Sequence, residues 1–206
     1  MPDLGAGSLS PISPTSPGGA DDIVAGPVLL LGVHVTARGH LNRAEHERRR
    51  TLGLGPVTDP ALLNRLLDLP SGEPVSDPVI WAETSGLPGG IVDRGTDGYT
   101  VTRLLEPPVY LADVIVAARP GRELRAIQDA SLFAGFTPRW VATNRRVIPD
   151  VLTLEAKLFG VGLLDPSSRV LMPAGPPVRQ LTDGWSWLLG EKTYRRWRRE
   201  TGTAAS

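Results

Sequence analysis

The chain has 206 residues, with 22 basic and 22 acidic side chains and no cysteine. That length fits one domain of ordinary size, with a core that needs no disulfides. The missing thiols exclude disulfide frameworks, thiolate metal sites and cysteine nucleophiles, and the balanced charge supplies no global field drawing the chain to nucleic acid.

Lys157 and Lys192 are the only lysines; an Arg-, Ala-, Gly- and Pro-rich chain points to a GC-rich bacterial coding sequence. The opening "MPDLGAGSLSPISPTSPGGADD" has too little apolar surface to offset its ordering entropy, so residues 1–22 read as a disordered tail. It lacks the basic and apolar regions of a secretory signal. The run "IVAGPVLLLGVHV" is broken by Gly and Pro, and at about 13 residues it falls short of the roughly 20 that span a bilayer. The expectation is a cytoplasmic protein with no membrane partner.

Residues 23–70 read as a small helical segment. In "LNRAEHERRRTLGLG", Asn42 is a candidate N-cap and Gly53 a stop; in "TDPALLNRLLDLP", Asp59 caps and Pro60 takes the first helical position. Leu62, Leu63, Leu66 and Leu67 form one apolar stripe, and Pro70 ends the helix.

Residues 71–206 read as an α/β domain. The β-formers of "PVIWAET" predict a strand, followed by a Gly-Leu-Pro-Gly-Gly turn. Asp97-Gly98 followed by alternation at Tyr99, Val101 and Arg103 predicts a hairpin strand. "YLADVIVAAR" predicts a strand buried on both faces, "GRELRAIQDASLFAG" a helix, "PRWVATN" a strand, "GVGLLD" and "RVLMPA" a hairpin, and Thr182 to about Arg199 a final helix. Strands alternating with helices imply parallel crossovers in the second half.

Between those strands lies "IPDVLTLEAKLFG", which contains the letters of the PD-(D/E)XK nuclease signature. Pro149, the Ala/Leu/Glu/Lys content and Gly160 predict a helix instead. On a helix each residue turns about 100°, so Glu155 and Lys157 point roughly 200° apart and cannot meet at one metal. Val151, Leu154 and Leu158 then share a face.

The stretch upstream, "ADVIVAARPGRELRAIQDASLFAGFTPRWVATN", resembles the core of PD-(D/E)XK (restriction-endonuclease-like) nucleases. There a strand bearing (D/E)-x-K is followed by a helix with a Gln and then by an aromatic-bearing strand. The resemblance covers residues 79–173, with "AKLFGVGLLD" as the next helix and strand. It implies a mixed central sheet flanked by helices, with Val116-Ala117-Ala118-Arg119 standing where Val-Glu-x-Lys would be and Gln128 at the family's helix glutamine. Ala117 replaces the metal-binding carboxylate. Arg119 replaces the lysine; it cannot be deprotonated, yet it can hold a phosphate. Asp93, Asp97, Glu106 and Asp113 remain candidate ligands without a matching Glu-x-Lys. The site is therefore expected to be degenerate, with Mg²⁺ implied only if it functions.

Three further constellations stand out. His34, His40 and His46 recur every six residues, the wrong interval for helical zinc ligands. "ERRR" at Glu47–Arg50 reads as a solvated helix end. In the final helix, Arg195, Arg196, Trp197, Arg198 and Arg199 combine cations with a ring, as phosphate contact and base stacking require, while Trp185, Leu188 and Leu189 are expected to face the core. No P-loop, Gly-x-Gly-x-x-Gly or Gly-x-Ser-x-Gly occurs.

The expected function is that of a nucleic-acid-associated protein, with DNA as the candidate partner, whose nuclease-like core has degenerate, non-cleaving catalytic positions. One alternative makes residues 23–70 a helix-turn-helix or winged-helix-like unit of a replication or transcription regulator, similar to plasmid replication-relaxation proteins. Another is a non-enzymatic protein-interaction domain. Oligomeric state is not legible at this level.

Overall fold

The computed structural model describes residues 19–178 and 183–202. Most of the expected tail, and Thr182 at the expected start of the last helix, lie outside them. The chain divides into two compact units, one comprising residues 19–112 and 183–202, the other residues 113–178.

The first unit opens with an antiparallel hairpin of β1 (Asp22–Leu30) and β2 (Val33–Leu41). This corrects the helical expectation for residues 23–41. Leu31 and Gly32 form a two-residue loop with φ of 48° and 82°; two positive φ values mark a turn whose twist matches that of paired strands. In β2, Val35, Ala37 and Gly39 are buried while His34 and His40 are exposed, the period of two that a strand imposes. The register of β1 shifts between Ala25 and Val28, where the cis Gly26–Pro27 peptide sits, because proline has no N–H for the ladder.

The expected caps hold. Helix α1 (Arg43–Leu52) starts at Asn42, whose side chain accepts from the Glu45 N–H at 3.2 Å, and ends at the left-handed Gly53. Helix α2 (Pro60–Leu67) starts at Asp59 and buries Leu63 and Leu66. Strand β3 (Pro74–Ser76) then leads into α3 (Pro78–Glu83), where a strand was expected. The Asp77 carboxylate accepts from the Val79 and Ile80 N–H groups at 2.9 and 3.0 Å, and Pro78 supplies a helical φ. Cap chemistry here outweighs the β preference of Val79, Ile80 and Trp81. Strands β4 (Val92–Arg94) and β5 (Thr100–Arg103) complete a small antiparallel sheet in the order β3-β5-β4.

Strand β6 (Val109–Ala117) carries the chain into the second unit. There, parallel pairing joins β6 to β7 (Arg139–Ala142) across α4 (Glu123–Ser131), and β7 to β8 (Gly162–Leu164) across α5 (Asp150–Phe159). Strand β9 (Val170–Met172) pairs antiparallel with β8. The hydrogen-bonded order β1-β2-β6-β7-β8-β9 makes one mixed six-stranded sheet flanked by helices, so the α/β expectation and its parallel second half hold. Trp140 is fully buried among Leu164, Ala174, Ile115 and Val170. A Cβ on Gly162 would lie 2.2 Å from the Trp140 ring, so β8 passes the indole only because that position has no side chain.

Helix α6 (Gly184–Glu200) returns to the first unit. Trp187 and Leu188 join Leu63, Leu66, Leu69, Val101 and Leu105 in its core, each such side chain contributing about 1.5–3 kcal/mol by leaving water. Gly190 lets the helix backbone approach β6, since a Cβ there would sit 2.4 Å from the Val109 carbonyl. The next residue, the fully buried Glu191, accepts from Arg49 at 2.7 and 2.8 Å, from the Val57 N–H at 3.0 Å and from Trp187 Nε1 at 3.1 Å. Arg49 also donates to Glu45 at 2.6 Å. Burial pushes the Glu191 carboxyl up, and those four donors oppose the shift.

Candidate nucleic-acid interface

The parallel strands of the second unit end level. Ala117 pairs with Ala142 and Ala142 with Leu164, and two more bonds extend the ladder, Ala118 N–H to Ala142 O at 2.8 Å and Thr143 N–H to Leu164 O at 2.9 Å. Three loops leave this edge, carrying Arg119 and Arg122 after β6, Asn144, Arg145 and Arg146 after β7, and Asp165 through Arg169 after β8. Open α/β sheets bind ligands outside the carboxyl ends of their strands. Here that edge presents five exposed arginines against three carboxylates, of which Glu123 and Asp165 are engaged and Asp150, at the start of α5, is exposed.

Glu123 pairs with Arg145 at 2.7 Å. That hydrogen bond holds the Glu123 carboxyl below its ordinary range. Asp165 ties its own loop, accepting from the Ser167 hydroxyl at 2.7 Å and from the Ser167 and Arg169 N–H groups at 2.8 and 2.9 Å. The Ser167 hydroxyl is the main cause of its lowered pKa. Arg169 lies 3.4 Å from Asp165. Arg119, Arg122 and Arg146 have no ion-pair partner among the described residues. Arg146, Asp165, Pro166, Ser167 and Arg169 line a cavity of about 460 Å³. The arrangement offers guanidinium donors to an anion, while Ser167 spends its hydroxyl proton on Asp165.

The residues singled out in the sequence fall in several places. Ala117 and Arg119 are exposed at the end of β6. Asp113 is buried in the same strand, four residues and hence about 13 Å back from Ala117. Gln128 is exposed on α4. Asp93 and Asp97 belong to the small-sheet region of the other unit. Asp97 caps its own turn through Thr100 and Tyr99, and the Thr100 hydroxyl lowers its pKa. Glu106 is taken up by Ser71 and Arg103. No three His, Asp or Glu side chains among the described residues converge as metal ligands would. Magnesium needs carboxylates beside its substrate phosphate; a methyl at Ala117 and a guanidinium at Arg119 do not fit it.

Glu155 and Lys157 lie on helix α5, as their context predicts. His40 bonds Asp22 at 2.7 Å and His46 bonds the Tyr194 hydroxyl at 2.9 Å. The "ERRR" run is spent internally, with Arg48 on Glu45, Arg50 on Glu47 and Arg49 in the core.

The terminal helix differs from its sequence reading. Trp185 is 47% exposed, whereas Trp187 and Tyr194 are buried, because the face packed on the first unit's core includes Gly190 and Glu191 and so lies turned from Trp185. The Trp197 ring is half-buried, stacked on Tyr194 and edge-on to His46 at centroid distances of 6.1 and 5.3 Å. Arg196 pairs with Glu200 at 2.7 Å, and Arg198 donates to the Leu54 carbonyl at 3.3 Å. Arg195 and Arg199 are exposed and, with Arg198 and Gly53–Pro56, line a groove of about 280 Å³.

Sequence reading passed over Arg122, Arg145, Arg146, Asp165 and Arg169. Their signal was position: "TNRR" and "DPSSR" directly follow apolar strands in an alternating β/α stretch, which is where such sheets carry their sites. No helix among the described residues is long and apolar enough to cross a membrane. Comparison with known proteins finds no family model, no curated protein and no solved structure that matches the chain.

Proposed function

We propose that this is a nucleic-acid-associated protein built on a nuclease-like core of the PD-(D/E)XK kind, which holds phosphate at its strand ends and does not cleave it. The observation that carries the reading is the arginine-lined edge. Arg119 takes the place of a lysine, the exposed Ala117 takes the place of a carboxylate, and Arg122 and Arg146 stand beside them without ion-pair partners among the described residues. A guanidinium forks onto two phosphate oxygens at once and keeps its charge at any biological pH. Contacts of this type position a backbone without reading bases, so binding should be strongly salt-dependent and weakly sequence-dependent.

The test is a salt titration of a fluorescent duplex against wild type, Arg119→Gln and Arg146→Gln. Each substitution should lower the slope of log affinity against log salt by about one unit, as loss of one phosphate contact does. Supercoiled plasmid incubated with the protein and Mg²⁺ or Mn²⁺ should stay intact. Salt-insensitive or undetectable binding by wild type would remove the nucleic-acid reading. Metal-dependent nicking abolished by Asp113→Ala would remove the non-cleaving one.

The arginines of α6 offer a second surface, favoured by the groove beside Gly53–Pro56. If Arg195→Gln and Arg199→Gln lower the slope while the strand-end variants do not, the phosphate contacts lie there instead.

A further inference from the structure

Helix α5 hides Leu152 and Ala156 and leaves its opposite face bare. Val151 is 59% exposed, Leu154 71% and Leu158 75%, and Val147, just ahead of the helix, is 84% exposed. Spacings of three and four set the three helical residues in one stripe. A soluble helix normally turns such a stripe inward. Asp150 and Lys157 flank the same side of this one, seven residues apart, and neither has an ion-pair partner among the described residues.

The balance of the charges flanking the stripe favours a second copy of the chain as its cover. Let a second α5 lie antiparallel across the first, with a two-fold axis at Leu154. Leu154 then meets its own copy, Val151 meets Leu158 of the second copy, and Asp150 meets Lys157 of the second copy, twice over, against one like-charge approach of Glu155 to its own copy on the other flank. An isologous contact demands this self-complementarity, each patch serving as its own partner. We infer that α5 is a homodimerisation face of this protein. Two ten-residue helices cover less than the roughly 800 Å² per partner of a stable complex, so association belongs in the micromolar range.

Asp150 and Lys157 also suit the two ends of the helix dipole, and charge reversal separates the two roles. Asp150→Lys or Lys157→Asp alone sets like charges across the dyad and should weaken dimerisation by about tenfold or more, as misplaced like charges do. The double reversal restores opposite pairs and should return affinity toward wild type, although it is doubly unfavourable to the dipole. Sedimentation of the full chain, without nucleic acid, over a range reaching about 100 µM reads these states, while thermal melts check that each variant folds. Because the native chain has no cysteine, Leu154→Cys adds an independent readout: oxidation should give a disulfide-linked dimer faster than Arg125→Cys on the exposed side of α4. A wild type that stays monomeric throughout overturns the inference. So does a double reversal weaker than either single change, or equal cross-linking at positions 154 and 125. None of these outcomes depends on whether the strand ends bind phosphate.

Discussion

Changing Glu191 to Leu tests how the terminal helix is held. The carboxylate is fully buried and accepts two bonds from Arg49 and one each from the Val57 N–H and Trp187 Nε1. Leucine fills much of its volume but leaves Arg49, itself fully buried, with only Glu45 and the Glu106 carbonyl at 2.9 Å. Breaking a buried ion pair on one side costs about 3–5 kcal/mol, and the two orphaned N–H donors add about 1–3 kcal/mol each where water cannot reach them. The expected loss is therefore at least about 5 kcal/mol, a large share of the 5–15 kcal/mol of a typical domain. The companion variant Arg49→Met/Glu191→Leu removes both charges. Glu45 keeps Arg48, which bonds it at 2.7 and 2.9 Å, so this double change should be milder than Glu191→Leu alone. Urea unfolding followed by circular dichroism gives both values, provided the slopes agree. A Glu191→Leu loss under about 1 kcal/mol, or a double variant as unstable as the sum of its singles, would refute the account.

Gly162→Ala should cost about 2–3 kcal/mol or more by the same assay, because the fully buried Trp140 ring has nowhere to retreat from a new methyl. Trp187→Ala should destabilise by about 3–5 kcal/mol, whereas Trp185→Ala should change stability by no more than about 0.5–1 kcal/mol. Burial, the largest influence on His46, lowers its pKa below 6.5, with nearby arginines acting the same way and Glu47 opposing them. The unfolded chain then binds the proton more readily, so His46's contribution is full above about pH 6.5 and is lost as pH falls through the depressed folded value. His46→Phe should flatten that part of a stability-against-pH curve measured by thermal melting.

The elements legible in the sequence were those announced by local chemistry. Asn42, Gly53, Asp59, Pro60 and Gly160 each act through a backbone group a few residues away, so their meaning survives without tertiary context. The first hairpin was hidden because its turn is Leu31-Gly32 and not the Asn-Gly or Asp-Gly that advertises a primed turn. Helix α3 was hidden because Val79, Ile80 and Trp81 outvoted the Asp77-Pro78 cap. The face of α6 was misread because its buried side includes Glu191, and no pattern of apolar residues reports a carboxylate whose partner, Arg49, lies 142 positions earlier. At the strand ends, Ala117 and Arg119 were singled out by a family resemblance, while the arginines around them come from loops that only the parallel register brings level.

That distance between partners bears on how the protein is made. Residues 113–178 form a unit inserted between the two stretches that build the other, and Arg49 waits on Glu191 just as Leu63 and Leu66 wait on Trp187 and Leu188. During synthesis the inserted unit emerges whole and has its own crossovers to complete, whereas the first unit stands without its closing helix until α6 has left the ribosome. Contacts so remote in sequence are slow to form, and until then the exposed face of α2 is the surface most open to chaperones or to aggregation. A stalled chain ending near residue 180 would therefore carry a folded insert inside an unfinished host, and protease nicking of that intermediate should fall in residues 19–112.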